Sequence, residues 1–206
     1  MPEHLLLILG VAGGAYLMGS VPFGLLLTKF LGGQDIRTVG SGNIGATNVL
    51  RTGRKDLAIL TLFLDAFKAT AAILLTHSIA PQVEWLSLVA ATAALLGHLY
   101  PIWLGFKGGK GVATIAGCLI ALSWKTFLAV IGIWLVVAFI TRYSSLAAIV
   151  AALTLPFFGL LFENHDFAAW SLALSALIIY KHKENIARLR AGKESKIELR
   201  RRPTTD

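Results

Sequence analysis

"LAILTLFLDAFKATAAILLTH", residues 57–77, is apolar over a length that, at 1.5 Å rise per residue, crosses the roughly 30 Å hydrocarbon core of a bilayer. Its two ionisable residues, Asp65 and Lys68, lie three apart and share a helical face. Charge at membrane depth is costly and turns toward a bundle interior. The pair is therefore either a structural ion pair or a device in which Asp65 holds Lys68 toward an anionic ligand. Further apolar runs occupy 5–28, 85–104, 112–124, 126–141, 144–161 and 167–180. With 56% hydrophobic residues and a mean hydropathy of +0.71, no soluble core of this size holds them all. The expected fold is all-α, a polytopic integral membrane protein of seven transmembrane helices. The fourth and seventh runs are short, and a re-entrant segment there would change the parity.

Charge sets the orientation. With the N-terminus outside and the C-terminus cytoplasmic, 17 of the 19 Lys and Arg residues fall on the inner side, leaving Lys125 outside and Lys68 within the second span. The outer turns "HSIAPQVE" and "FENHD" carry acids and no Lys or Arg, and Trp85, Trp124 and Trp170 fall at expected outer boundaries. "MPEHLLLILG" lacks the positive n-region of a cleaved signal, so the first run is read as a retained span. The net charge of +8 is thereby assigned to topology, and no nucleic-acid partner is expected. Residues 1–206 read as a single membrane domain, with 182–206 as a cytoplasmic basic C-terminal segment. Cys118, the single cysteine, reads as a core residue.

Three polar segments emerge on the inner side and can converge. In "GSGNIGATNVLRTGRK" (40–55), Gly40, Gly42 and Gly45 permit positive φ, Ser41, Thr47 and Asn48 supply neutral donors, and Arg51 supplies a fork suited to phosphate. Arg54 and Lys55, beside the next span, are read as orientation charges. In "GHLYPIWLGFKGGKGVAT" (97–114), glycine amides and Lys110 suit a phosphate at a helix start. The spacing is not that of a Walker A loop: Gly105 and Gly109 enclose three residues, not four, and Gly111 rather than Ser or Thr follows Lys110. His98 reads equally as a packing or a site residue. In "HKENIARLRAGKE" (182–194), His182, Asn185 and Arg188 form a helical stripe, with His182 a candidate general base and Asn185 a donor to phosphate or an oxyanion. No HExxH, GxSxG or clustered carboxylates appear, so neither a metal nor a cofactor is expected.

These three segments, in this order on a seven-run chain, closely resemble the bacterial acylphosphate:glycerol-3-phosphate acyltransferase family over essentially the whole length. The resemblance implies transfer of a fatty acyl group from acyl phosphate to the 1-hydroxyl of sn-glycerol 3-phosphate, giving lysophosphatidic acid and phosphate at the start of phospholipid synthesis. It implies a multi-pass enzyme of the bacterial inner membrane working at the cytoplasmic face among membrane lipids. Carried over by residue, it implies His182, Asn185, Lys110 and Arg51 as catalytic residues. Ser41, Thr47, Asn48, Arg51, Lys110 and Asn185, with the amides of Gly108, Gly109 and Gly111, are expected to bind substrate, with Lys68 added if its functional reading holds. Glu194 is expected to support the third segment's fold.

Two rivals remain at this stage. A transporter for a phosphorylated metabolite needs polar groups on both sides of the membrane, whereas here they crowd one side. A lipid-binding scaffold leaves the glycine-rich segments without a role.

Overall fold

The computed structural model describes residues 2–197, and among these it is helical throughout with no strand. The tail cations Arg200, Arg201 and Arg202 lie outside the described residues. Ten α-helices run in chain order: α1 (Pro2–Ser20), α2 (Phe23–Leu31), α3 (Ala46–Leu50), α4 (Lys55–Ile79), α5 (Glu84–Leu99), α6 (Val112–Leu122), α7 (Trp124–Thr141), α8 (Ser144–Phe162), α9 (His165–Lys181) and α10 (Lys183–Arg190).

Two expected spans are interrupted, each at a proline. The first run breaks at Val21–Pro22 into α1 and α2, because Pro22 has no N–H to donate and disfavours helical backbone at the residue before it. The third ends at Leu99, since Tyr100 precedes Pro101; residues 102–104 form one turn of 3₁₀ helix. Five helical stretches are long and apolar enough to cross a membrane: His4–Leu31, Lys55–Ile79, Glu84–Leu104, Trp124–Thr141 and Ser144–Phe162. The two runs read as short remain so. α6 has 11 residues, about 17 Å of helix, and α9 has 17.

Polarity is inverted relative to a soluble bundle. Phe139 is 88% exposed and Ile140 74%, while Thr28, Thr61, Asp65, Lys68, Thr76 and His98 are buried. An apolar exterior this extensive matches lipid. Inside, helices meet on small residues. α5 meets α1 at Ala94 and Gly97: a Cβ on Gly19 of α1 would lie 2.0 Å from the Ala94 carbonyl oxygen, and one on Gly97 2.2 Å from the Tyr16 carbonyl oxygen. Cys118 is fully buried in the same core. Trp170, expected at an interface, instead donates its indole N–H to Thr92 Oγ1 at 2.9 Å and ties α9 to α5.

α4 and α6 pack just as closely. A Cβ on Gly117 would fall 2.0 Å from the Ala66 carbonyl oxygen, and Thr70 donates to the Gly117 carbonyl at 2.8 Å. Gly117→Ala is therefore expected to cost about 1–3 kcal/mol, read as a lower Tm in detergent; an unchanged Tm would mean that these helices part freely.

Candidate active site

The first polar segment is built around one side chain. Asn48 is 3% exposed. Its Nδ2 donates to the carbonyls of Ile36 (3.1 Å), Val39 (2.9 Å) and Asn43 (2.8 Å), and its Oδ1 accepts from the Ser41 amide at 3.1 Å and Arg51 Nη1 at 3.3 Å. The amide expected to bind substrate is thus consumed in shaping the loop, where it also holds Ser41 and Arg51. Gly40, at φ +55°, passes so close that a Cβ would sit 2.6 Å from Asn48 Oδ1. Gly42 also takes positive φ, at +69°. Gly45 does not: it is extended, at φ −80°, and caps α3. The Ser41 side chain is exposed at the loop surface. Thr47 Oγ1 pairs with Ser144 Oγ at 3.1 Å, joining the loop to the start of α8. Arg54 is turned away, bonded to Asp56 at 2.6 Å.

The second segment folds back on the end of α5. The Gly108 amide donates to the Leu99 carbonyl at 3.2 Å and the Gly109 amide to the His98 carbonyl at 3.0 Å. Both amides expected to cradle a phosphate are therefore spent on carbonyls that the terminus of α5 would otherwise leave unpaired. Gly111, at φ +86°, turns the chain into α6, whose first turn has amides without intrahelical acceptors. Lys110 stands just before that turn, and its Nζ donates to Asn185 Oδ1 at 2.5 Å.

That bond joins the second segment to the third. Asn185 Nδ2 donates to Glu194 Oε1 at 2.7 Å; the same oxygen accepts from Ser145 Oγ at 2.7 Å, while Arg188 Nε donates to Oε2 at 2.6 Å. Arg51 donates to Ser195 Oγ, bringing the first segment to the same place. The segment after α10 is pinned beyond this point, where the Ile197 amide donates to the Arg142 carbonyl at 2.7 Å. Residues from all three segments therefore meet around Lys110, Asn185 and Glu194. Ser145 and Ser195 were not legible as participants, since isolated serines carry no spacing signal.

The electrostatics are those of an anion site. Among the described residues, neither Lys110 nor Arg51 has a carboxylate within ion-pair distance. Burial, with Arg188 and Arg51 adding to it against Glu194 and Glu184, pushes Lys110 down to about 8. Burial also pushes His182 down to about 4, opposed by its bond to Ile178 and helped by Lys110. His182 Nδ1 lies 2.8 Å from the Ile178 carbonyl and must donate to it, which leaves the Nε2 lone pair as the ring's acceptor. Burial works against the Glu194 charge, but hydrogen bonds from Ser145, Asn185 and Arg188 more than offset it and hold the carboxyl below its ordinary range.

Lys68 does not join this group. Its three ammonium protons meet the Val21 carbonyl (2.9 Å), Asp65 Oδ1 (2.7 Å) and His98 Nδ1 (3.0 Å) in the interior, so it has none left to reach a ligand. Beside the site an apolar crevice opens between α6, α7 and α8, lined among others by Val112, Phe127, Trp134, Ala148 and Ile178. Val112 follows Gly111 and Ile178 holds the His182 ring, so the crevice begins where the polar cluster ends. Among the described residues no group of three or more His, Cys, Asp or Glu is placed to hold a metal ion.

A family model described as glycerol-3-phosphate acyltransferase matches residues 9–192. The chain belongs to the glycerol-3-phosphate acyltransferase family. It is 53% identical to the glycerol-3-phosphate acyltransferase of Mesorhizobium japonicum over 93% of this chain and 96% of that relative. It is 51% identical to that of Nitrobacter winogradskyi over 88% and 92%. Two crystal structures of PlsY, an integral membrane glycerol 3-phosphate acyltransferase, share its fold. The glycerol 3-phosphate form superposes with a TM-score of 0.86 at 39% identity, covering 93% of this chain and 96% of that one. The lysophosphatidic acid form gives 0.84 at 38%, covering 92% and 94%. Likeness over this length, with the apolar helices, makes the acyltransferase chain a multi-pass membrane protein.

Proposed function

We propose that this protein transfers a fatty acyl group from acyl phosphate to the 1-hydroxyl of sn-glycerol 3-phosphate, releasing lysophosphatidic acid and inorganic phosphate. The observation that carries this reading is the pairing of two cations without a carboxylate partner among the described residues, Lys110 and Arg51, with an apolar crevice opening beside them. Two phosphate-bearing substrates suit the cations, and a fatty chain suits the crevice. Ser41, Thr47 and the first turn of α6 at Gly111 add neutral donors around the cations. The positive-inside charge pattern supports seven spans with the N-terminus outside. It also supports a site at the cytoplasmic face of the bacterial inner membrane, in one membrane domain that ends in a basic segment.

Acyl phosphate is an activated mixed anhydride, so no covalent enzyme nucleophile is needed. The glycerol oxygen attacks the acyl carbon, the bond from that carbon to the phosphate oxygen breaks, and phosphate leaves with the electron pair. Lys110 and Arg51 balance the charge that gathers on phosphate and carbonyl oxygens, while Asn185 holds Lys110 in place. The hydroxyl proton passes to a phosphate oxygen of the substrate. Burial pushes His182 down to about 4, which makes it a weak base and favours the acyl phosphate's own oxygens as the proton acceptor. His182 Nε2, an acceptor, then takes a hydrogen bond from the neighbouring 2-hydroxyl and so orients the glycerol.

The pH dependence follows from these values. Lys110 is charged below about 8 and loses its charge above it, so kcat/KM is expected to fall as pH rises through 8. His182 is neutral above about 4 and adds no acidic limb near neutrality. His182→Ala is expected to lower turnover by no more than about 10-fold and to leave the low-pH side of the profile, set by the substrate phosphate, unchanged; a loss of about 10²–10⁴-fold with that side altered would make His182 the base.

Donor identity is tested by giving the purified protein sn-glycerol 3-phosphate with acyl phosphate, acyl-CoA or acyl-carrier protein in turn, following lysophosphatidic acid and released phosphate. Product from acyl phosphate alone is expected. Product only from one of the other donors would overturn the reading.

A further inference from the structure

The Asp65, Lys68 and His98 cluster plays no part in the chemistry above, yet it lies directly behind the lysine loop. Lys68 is 4% exposed and Asp65 2%, a costly burial for two charges in a membrane protein. Beside Asp65 Oδ1, at 2.7 Å, Lys68 is an ammonium and donates to His98 Nδ1 at 3.0 Å. This places the ring proton on Nε2 and fixes the plane of the imidazole. The third Lys68 proton goes to the Val21 carbonyl at the break between α1 and α2. On its other side, His98 touches the glycine loop. A Cβ on Gly109 would stand 2.1 Å from His98 Nε2, and one on Gly108 would stand 2.1 Å from the His98 carbonyl oxygen. The residue after Gly109 is Lys110.

We propose that Asp65, Lys68 and His98 are positioning residues for the transfer reaction: the ion pair locks the His98 ring, and the ring is the seat that sets the height of Gly109 and hence of the Lys110 ammonium. This explains why the cluster around Lys68 reaches the α1–α2 break at Val21, α4 at Asp65 and α5 at His98, the segments against which the loop must keep its place. It also gives Gly109 a steric reason, since its amide is spent on the His98 carbonyl and not on a ligand. The inference rests on Lys110 being the substrate-phosphate cation.

A size swap tests it. Gly109→Ala puts a methyl where the ring stands, and His98→Ala removes the ring. Each is expected to lower kcat/KM for sn-glycerol 3-phosphate by about 10-fold or more, as expected for a displacement near 1 Å. In the double variant the methyl fills the vacated space, and kcat/KM should recover above both single variants while Tm follows no such pattern. Independent losses that multiply in the double variant, or a His98→Ala enzyme within about two-fold of wild type, would overturn the proposal. If His98→Ala does not fold, His98→Asn, which is shorter than the ring yet keeps an acceptor for Lys68, takes its place in the same cycle. The wild-type assay separates this from the donor question: if another acyl donor proves correct, the cycle is read with that donor.

Discussion

Lys110→Ala is expected to lower kcat/KM by about 10³-fold, the scale for removing a donor aimed at developing charge in a site shielded from water. Lys110 is partly buried, bonded to the neutral Asn185 and without a carboxylate partner among the described residues. Its charge is therefore directed at a ligand and not cancelled by the protein. The substitution leaves Glu194 with Ser145, Asn185 and Arg188, so the scaffold around it keeps its bonds. Steady-state kinetics with each substrate varied in turn also assigns the cation. A KM raised far more for sn-glycerol 3-phosphate than for acyl phosphate places Lys110 on the glycerol substrate, and the reverse pattern places it on the donor. Activity within a few-fold of wild type would remove Lys110 from the site.

Asn185→Leu comes next, with an expected fall of about 10²-fold in kcat/KM. The charge of Lys110 survives this change but its position does not. Asn185 passes a hydrogen bond from Lys110 on one side to Glu194 on the other, and leucine of similar volume offers neither partner. Glu194→Gln is the companion. It keeps shape and acceptor oxygen but gives up the charge that holds Arg188 at 2.6 Å, so its loss should appear in Tm more than in kcat/KM. If Glu194→Gln proves as damaging to activity as Asn185→Leu, with Tm unchanged, the carboxylate works on substrate and is not a strut.

What could be read in the chain depended on how local each signal was. Apolar runs of membrane length and the one-sided placement of Lys and Arg are properties of contiguous sequence. They located the long helices and the short α6 and α9, but not α3 and α10, which are too short and polar to register as apolar runs. Breaks at Pro22 and Pro101 were present as residues but not taken as boundaries, because the apolar pattern runs through both. Residue type indicated Lys110, Arg51 and Asn185, which do meet. It did not show that the polar groups of Asn48, Gly108, Gly109 and Lys68 are engaged by neighbours inside the fold. A side chain rich in donors looks the same in sequence whether those donors face a ligand or a neighbouring carbonyl.

The sequence alone therefore determined that this is a helical membrane protein with its cations and glycine-rich segments gathered on one side. Hydrophobic length and charge distribution act on each segment without reference to the others. Tertiary structure alone decided which polar groups remain available. Hydrogen bonds between residues far apart in the chain, from Lys110 to Asn185 and from Lys68 to His98, divide similar cations between substrate chemistry and scaffold. That division depends on the crossing of α1 with α5 and of α4 with α6, which close contact at Gly97 and Gly117 permits.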